Sequence, residues 1–153
     1  GVDYFFIADD AFDQMARDGE FLEYAEVFGC HRYGTPRLPV LQAMERGEVV
    51  LLDIDVQGAD QVRACKDPLI KESLVDLFVM PANEEELRER LANRATDAVE
   101  VISLRLRNAL EEMSHAGRYT YQLVSGSKEH DYDRCKSLLV AERLRVSRFC
   151  HRV

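Results

Sequence analysis

The stretch EVVLLDIDVQG (residues 48–58) decides how the rest of the chain is read. It is an unbroken apolar run that ends in two acids, Asp53 and Asp55. A strand with one face in water alternates apolar and polar residues. A continuous run instead marks a strand buried on both faces, as in parallel sheets. SLVDLFVMP (73–81) and YTYQLVSG (119–126) have the same texture. Charged helical segments lie between them, and this strand–helix alternation predicts an α/β fold with a parallel sheet. In such sheets ligands sit beyond the carboxyl ends of the strands, which singles out Asp53 and Asp55. The pattern alone equally allows both acids to be turn or helix-capping residues.

Outward from this stretch the helices carry their own punctuation. NEEELRERLANR (83–94) has Asn83 as a cap with Glu86 three residues on, a capping-box arrangement. The segment 96–117 places Ile102, Leu106, Ala109 and Met113 on one helical face, and 131–146 reads as a last amphipathic helix. Upstream, ADDAFDQMARDGE (8–20) predicts a short helix capped by Asp9 or Asp10 and stopped at Gly19. EFLEYAEVF (20–28) alternates and predicts a half-buried strand. GCHRYGTP (29–36), with glycines near both ends, reads as a loop. RLPVLQAMERG (37–47) reads as a helix with Pro39 in its first turn and Gly47 closing it. The segment from Phe5 to about Tyr33 has the look of an inserted lobe.

Composition narrows the functional classes. The 153 residues suit one domain, and 46% apolar with 31% charged residues is an ordinary globular balance. No run approaches the roughly 18 apolar residues of a membrane helix, and no export signal precedes the fold. A net charge of -8 argues against broad nucleic-acid binding. The basic end AERLRVSRFCHRV, with Arg143, Arg145, Arg148 and Arg152, reads as a solvated tail rather than an RNA contact. Cys30, Cys65, Cys135 and Cys150 form no C-x-x-C pair, so no metal site is expected and the thiols read as reduced and cytoplasmic.

Several stretches together carry a resemblance: Gly1-x-x-Tyr4-x-Phe6-Ile7, GEFLEYAEVFG (19–29), YGT (33–35), LLDIDVQGADQVR (51–63), ELRERLANRATD (86–97), RLRNALEEMSHA (105–116) and AERLR (141–145). In this order they resemble guanylate kinase, from Gly1 to about Arg145. The resemblance implies a P-loop nucleoside monophosphate kinase-like fold: a parallel sheet, an inserted GMP-binding lobe (about 1–35) and a helical lid (about 83–105) in a single domain. It implies phosphoryl transfer from ATP, with Mg2+, to GMP. Its alternative is a catalytically inactive guanylate-kinase-like module that binds protein. GMP and ATP are then the expected partners, with neither nucleic acid nor membrane.

The family's roles fall on matching positions. Guanine presents two adjacent donors beside a carbonyl. A carboxylate accepts both donors and a hydroxyl donates to the carbonyl, and the matching residues are Glu23 and Thr35. Asp55 matches the acid that completes the base side. Asp53 points to the same strand face, as a metal-linked acid or a structural one. Tyr4 and Tyr33 match the tyrosines that hold the monophosphate. Arg90, Arg94 and Arg105 match the lid arginines that bring positive charge to the migrating group. On residue pattern alone, the same tyrosines could be core and the same arginines a solvated helix face.

Three departures are visible. The loop GCHRYGT is one residue longer than usual, so Cys30 to Arg32 carry no transferred role. Ala95 stands where the family has Gly. LVSGSKEHD (123–131) stands where an Asn-Asp-Asp follows the last strand. The resemblance also starts inside the substrate-binding signature, and no G-x-x-x-x-G-K-[ST] occurs in the chain. The expectation from this is a truncated sequence, with unpaired strand edges beside residues 48–55.

Overall fold

The computed structural model describes residues 4–27, 31–93 and 99–148. Two compact units divide the chain, residues 1–74 and 75–153, and each is described by itself.

The first unit opens with α1 (Asp9–Arg17). Its N-cap is Ala8, with no side-chain cap, so Asp9 and Asp10 lie in the first turn instead of capping it. There they still complement the helix dipole. Gly19 takes φ 70° after the last turn, a backbone state open to glycine at little cost. β1 (Phe21–Val27) pairs antiparallel with β2 (His31–Pro36). Residues 31–36 are thus a strand and not the expected loop. Gly34 is there for room: a Cβ on it would lie 2.8 Å from the Phe21 ring. The ladder slips between Phe21 and Glu23, a bulge at Leu22, and both Leu22 and Glu23 are buried although they are consecutive. Phe12 of α1 stacks on Phe21 at 4.7 Å and fixes the helix against β1.

The rest of this unit is α2 (Arg37–Glu45), α3 (Val56–Ala64) and α4 (Pro68–Ser73). Gly47 closes α2 at φ 77°. Leu22, Val40, Val62 and Ile70 form the core that joins β1 to the three helices. Arg37 and Asp67 tie α2 to the cap of α4 at 3.1 Å. Residues 48–55 form neither helix nor strand, and Leu51 is 92% exposed. The expected strand buried on both faces is not formed there.

In the second unit β3 (Leu77–Met80) and β4 (Tyr121–Val124) pair in parallel, as the alternation predicts. Between them run α5 (Glu84–Asn93) and α6 (Val99–Ser114), packed on one another. Asn83 accepts from the Glu86 amide, while the Glu86 carboxylate reaches back to the Ala82 amide, both at 2.9 Å. The reciprocal cap is therefore present, shifted by one residue on the return bond. Ile102, Leu106, Ala109 and Met113 are all half-buried on α6, with Arg105 beside Leu106. α7 (Lys128–Arg143) follows a cap at Ser127. Glu142 near its end is 5% exposed and accepts from Tyr121, Arg145 and Arg148.

Candidate active site

Glu23 and Thr35 are direct cross-strand partners in the β1–β2 ladder. Such partners stand about 5 Å apart at Cβ on one face, close enough for their tips to meet. The Thr35 hydroxyl donates to Glu23 Oε1 at 2.5 Å, and Glu23 is 6% exposed. A buried carboxylate is costly unless it is hydrogen-bonded, so this pair needs its polar partners. The bulge at Leu22 is what turns Glu23 inward beside an apolar neighbour.

The N-terminus of α3 closes the other side. Asp55 is its N-cap, and Oδ1 accepts from the Gly58 amide at 2.8 Å. Of the two readings open for Asp55, the capping one is realised for this oxygen. Gly58 is buried directly against the Glu23 carboxylate. Asp53, two residues earlier, is exposed. Tyr4 and Tyr33 meet edge to face at 6.1 Å, and their 60% and 50% exposure places neither in the core. Glu23, Thr35 and Asp55 thus converge around one glycine, while Tyr4 and Tyr33 form a second, more exposed pair.

In the second unit Arg90 lies on α5. It donates to Glu86 at 2.5 Å and to the Ser125 hydroxyl at 3.0 Å. Ser125 in turn donates to Asp131 at 2.8 Å, and the Gly126 amide donates to the same carboxylate at 3.0 Å. The Ser125 hydroxyl, helped by the Gly126 amide and nearby Arg134, holds the Asp131 carboxyl below its usual range. The Ala82 amide and Arg90 do the same for Glu86. The departure at 125–126 is therefore tied by hydrogen bonds to Asp131 on one side and Arg90 on the other. Arg105 is half-buried on α6. Arg94 and Ala95 lie outside the described residues.

Two residues that the sequence reading left without a role stand out. Gln61, one turn after Gly58, accepts from the Tyr24 amide at 3.1 Å and donates to the Tyr24 carbonyl at 2.7 Å, pinning α3 to β1. Arg32 pairs with Asp9 at 2.7 Å and with Asp13, and its guanidinium lies 4.6 Å from the Phe12 ring centre. Gln61 and Gly58 share a helical face, which is the one signal that could have linked them. Arg32 and Gln61 also line a groove of about 570 Å3, in which neither Glu23 nor Thr35 takes part.

A sequence model described as guanylate kinase matches residues 1–142. The chain belongs to the guanylate kinase family. Guanylate kinase from Sphingopyxis alaskensis is 45% identical over 148 residues, covering 97% of this chain and 65% of that protein. Guanylate kinase from Ruegeria pomeroyi is 41% identical over 145 residues, covering 95% and 66%. The chain therefore spans about two thirds of the length of these curated relatives. The crystal structure of guanylate kinase from Anaplasma phagocytophilum matches with a TM-score of 0.78 at 34% identity, over 97% of this chain and 69% of that one. The chain thus shares the guanylate kinase fold. No helix among the described residues is long and apolar enough to cross a membrane.

Proposed function

We propose that this guanylate kinase chain recognises GMP and serves phosphoryl transfer from ATP to GMP, giving ADP and GDP in the cytoplasm. The observation that carries this reading is the buried Glu23–Thr35 pair. The ring N–H and exocyclic amine of guanine are two parallel donors, and the Glu23 carboxylate offers two acceptors. Thr35, released from Glu23 by that exchange, donates to the guanine carbonyl. Adenine presents a lone pair to the same carboxylate, and the unpaired buried group costs about 1–3 kcal/mol. Asp55 keeps one oxygen on the α3 cap, so its part at the base falls to Oδ2.

Tyr4 and Tyr33 hold the monophosphate through their hydroxyls. Arg90, Arg94 and Arg105 supply the charge that phosphoryl transfer needs, since positioning and electrostatics do most of the work there. Arg90 must then trade Glu86 for a phosphate oxygen. Among the described residues no three acids, histidines or cysteines converge on a metal position. Magnesium would arrive with ATP, and Asp53 is the exposed acid available to it. Cys65 and Cys135 are free thiols, which suits a reducing compartment.

The test has two parts. Titrating residues 1–153 with GMP and AMP by calorimetry is expected to show binding of GMP only. A chimera in which these residues replace the matching part of the Sphingopyxis alaskensis protein is expected to phosphorylate GMP. GMP binding without transfer in that chimera would favour a binding module, and equal use of GMP and AMP would refute the guanine reading.

A further inference from the structure

We propose that Gly58 is a specificity-determining position: its missing side chain is the space that keeps the Glu23 carboxylate where a two-donor base edge can be read. This rests on the GMP reading above and names the residue that positions its acid. Gly58 is the third residue of α3, and its φ is not in the left-handed region, so the backbone does not ask for glycine. Glycine in a helix is about 1 kcal/mol worse than alanine. The compensating observation is steric. A Cβ on Gly58 would lie 2.7 Å from Glu23 Oε2, 3.3 Å from Glu23 Cδ and 3.2 Å from Ile54 Cβ. A contact under 3.0 Å cannot stand. The movable group is the carboxylate, because the other close atom belongs to the Ile54 stem. Oε1 is tethered to Thr35, so swinging Oε2 away breaks that bond or tilts the acceptor pair out of the base plane. Gly58 also fixes α3 through its amide on Asp55, which ties the position of the glycine to the strand end that carries the second acid. The side chain at 58 therefore acts on the base only through Glu23, as a positioning element.

The test is Gly58→Ala in the 153-residue chain, read by thermal unfolding, by calorimetry with GMP and with IMP, and by a crystal structure. IMP carries the ring N–H of guanine but not its exocyclic amine. The expected result is a cooperative transition, GMP affinity lowered about tenfold or more as one charge-assisted hydrogen bond is lost, and IMP affinity lowered less than threefold. The preference for GMP over IMP should then shrink. A purely structural glycine would leave that preference unchanged, and GMP affinity within twofold of wild type would overturn the proposal. Should wild type bind neither nucleotide, the GMP reading fails by itself. The crystal structure then decides the positioning claim: a displaced Glu23 carboxylate upholds it, and an unmoved one overturns it. If Gly58→Ala does not fold, Glu23→Ala/Gly58→Ala removes the clash and should regain a cooperative transition. A double variant that also fails to fold would overturn the proposal.

Discussion

Arg90 and Asp131 share one hydroxyl: Ser125 accepts from the arginine at 3.0 Å and donates to the acid at 2.8 Å. This relay holds Arg90 against the segment that follows β4. Ser125→Ala removes it and leaves Glu86 as the partner of Arg90 among the described residues. In the chimera, Ser125→Ala is expected to change turnover by less than about fivefold. Arg90→Ala should lower it about a hundredfold, the scale of losing one preorganised group at developing charge. Steady-state kinetics with GMP checks both. GMP binding should be nearly unaffected in either variant, since neither residue meets the base.

Glu23→Ala should weaken GMP binding by about 2–4 kcal/mol, because each hydrogen bond to a charged group is worth about 1.5–3 kcal/mol. ATP affinity in the chimera should stay within twofold. A loss of GMP affinity below threefold would assign base recognition to a different acid.

Glu142 gives the chain an acid-sensitive joint. The Tyr121 hydroxyl, with Arg148 and Arg145, holds its carboxyl below the usual carboxylate range. A group with a lowered folded pKa binds its proton more weakly folded than unfolded. Its contribution is therefore complete above the unfolded value of about 4.3 and is lost as pH falls through the folded value. Glu142→Gln should flatten the loss of Tm between pH 5 and acid relative to wild type. Thermal unfolding across that range reads the difference. The same variant should be less stable than wild type at pH 7.

Residues 1–153 alone are expected to release no ADP above background from ATP and GMP, because no phosphate-loop motif is encoded in them. A coupled assay reads this directly. Turnover matching the chimera would show that donor binding does not need that loop.

Most of the second unit was legible because its signals are local. The Asn83 and Glu86 cap, the α6 face and the two apolar runs each carry their own periodicity, and the parallel pairing of β3 with β4 follows from the helices between them. The misreadings came where a residue answers to a distant neighbour. Gly34 looks like turn punctuation, yet it is spaced for the Phe21 ring across the ladder. Gly58 looked like the end of a strand, and α3 was hidden behind it, because its reason lies on β1. The 48–55 run has the composition of a buried strand, but a ladder needs a neighbour and none is formed among the described residues. For the site, Glu23 and Thr35 came from the resemblance to guanylate kinase, since neither residue type nor spacing marks them, and the ladder then sets them face to face. The Asp55 cap and the Gln61 clamp depend on where α3 begins, which periodicity did not give.

The Gln61 clamp also bears on how the chain keeps to itself. Tyr24 sits mid-strand in β1 and turns its amide and carbonyl away from β2, the orientation that recruits foreign strands at a sheet edge. A side-chain amide matches both groups, donor to carbonyl and acceptor to N–H, as a neighbouring strand would. The outward edge is therefore occupied at its middle, and a second copy docking there would have to evict Gln61 first. At this point of the edge a side-chain amide on α3 stands where a neighbouring strand's backbone would.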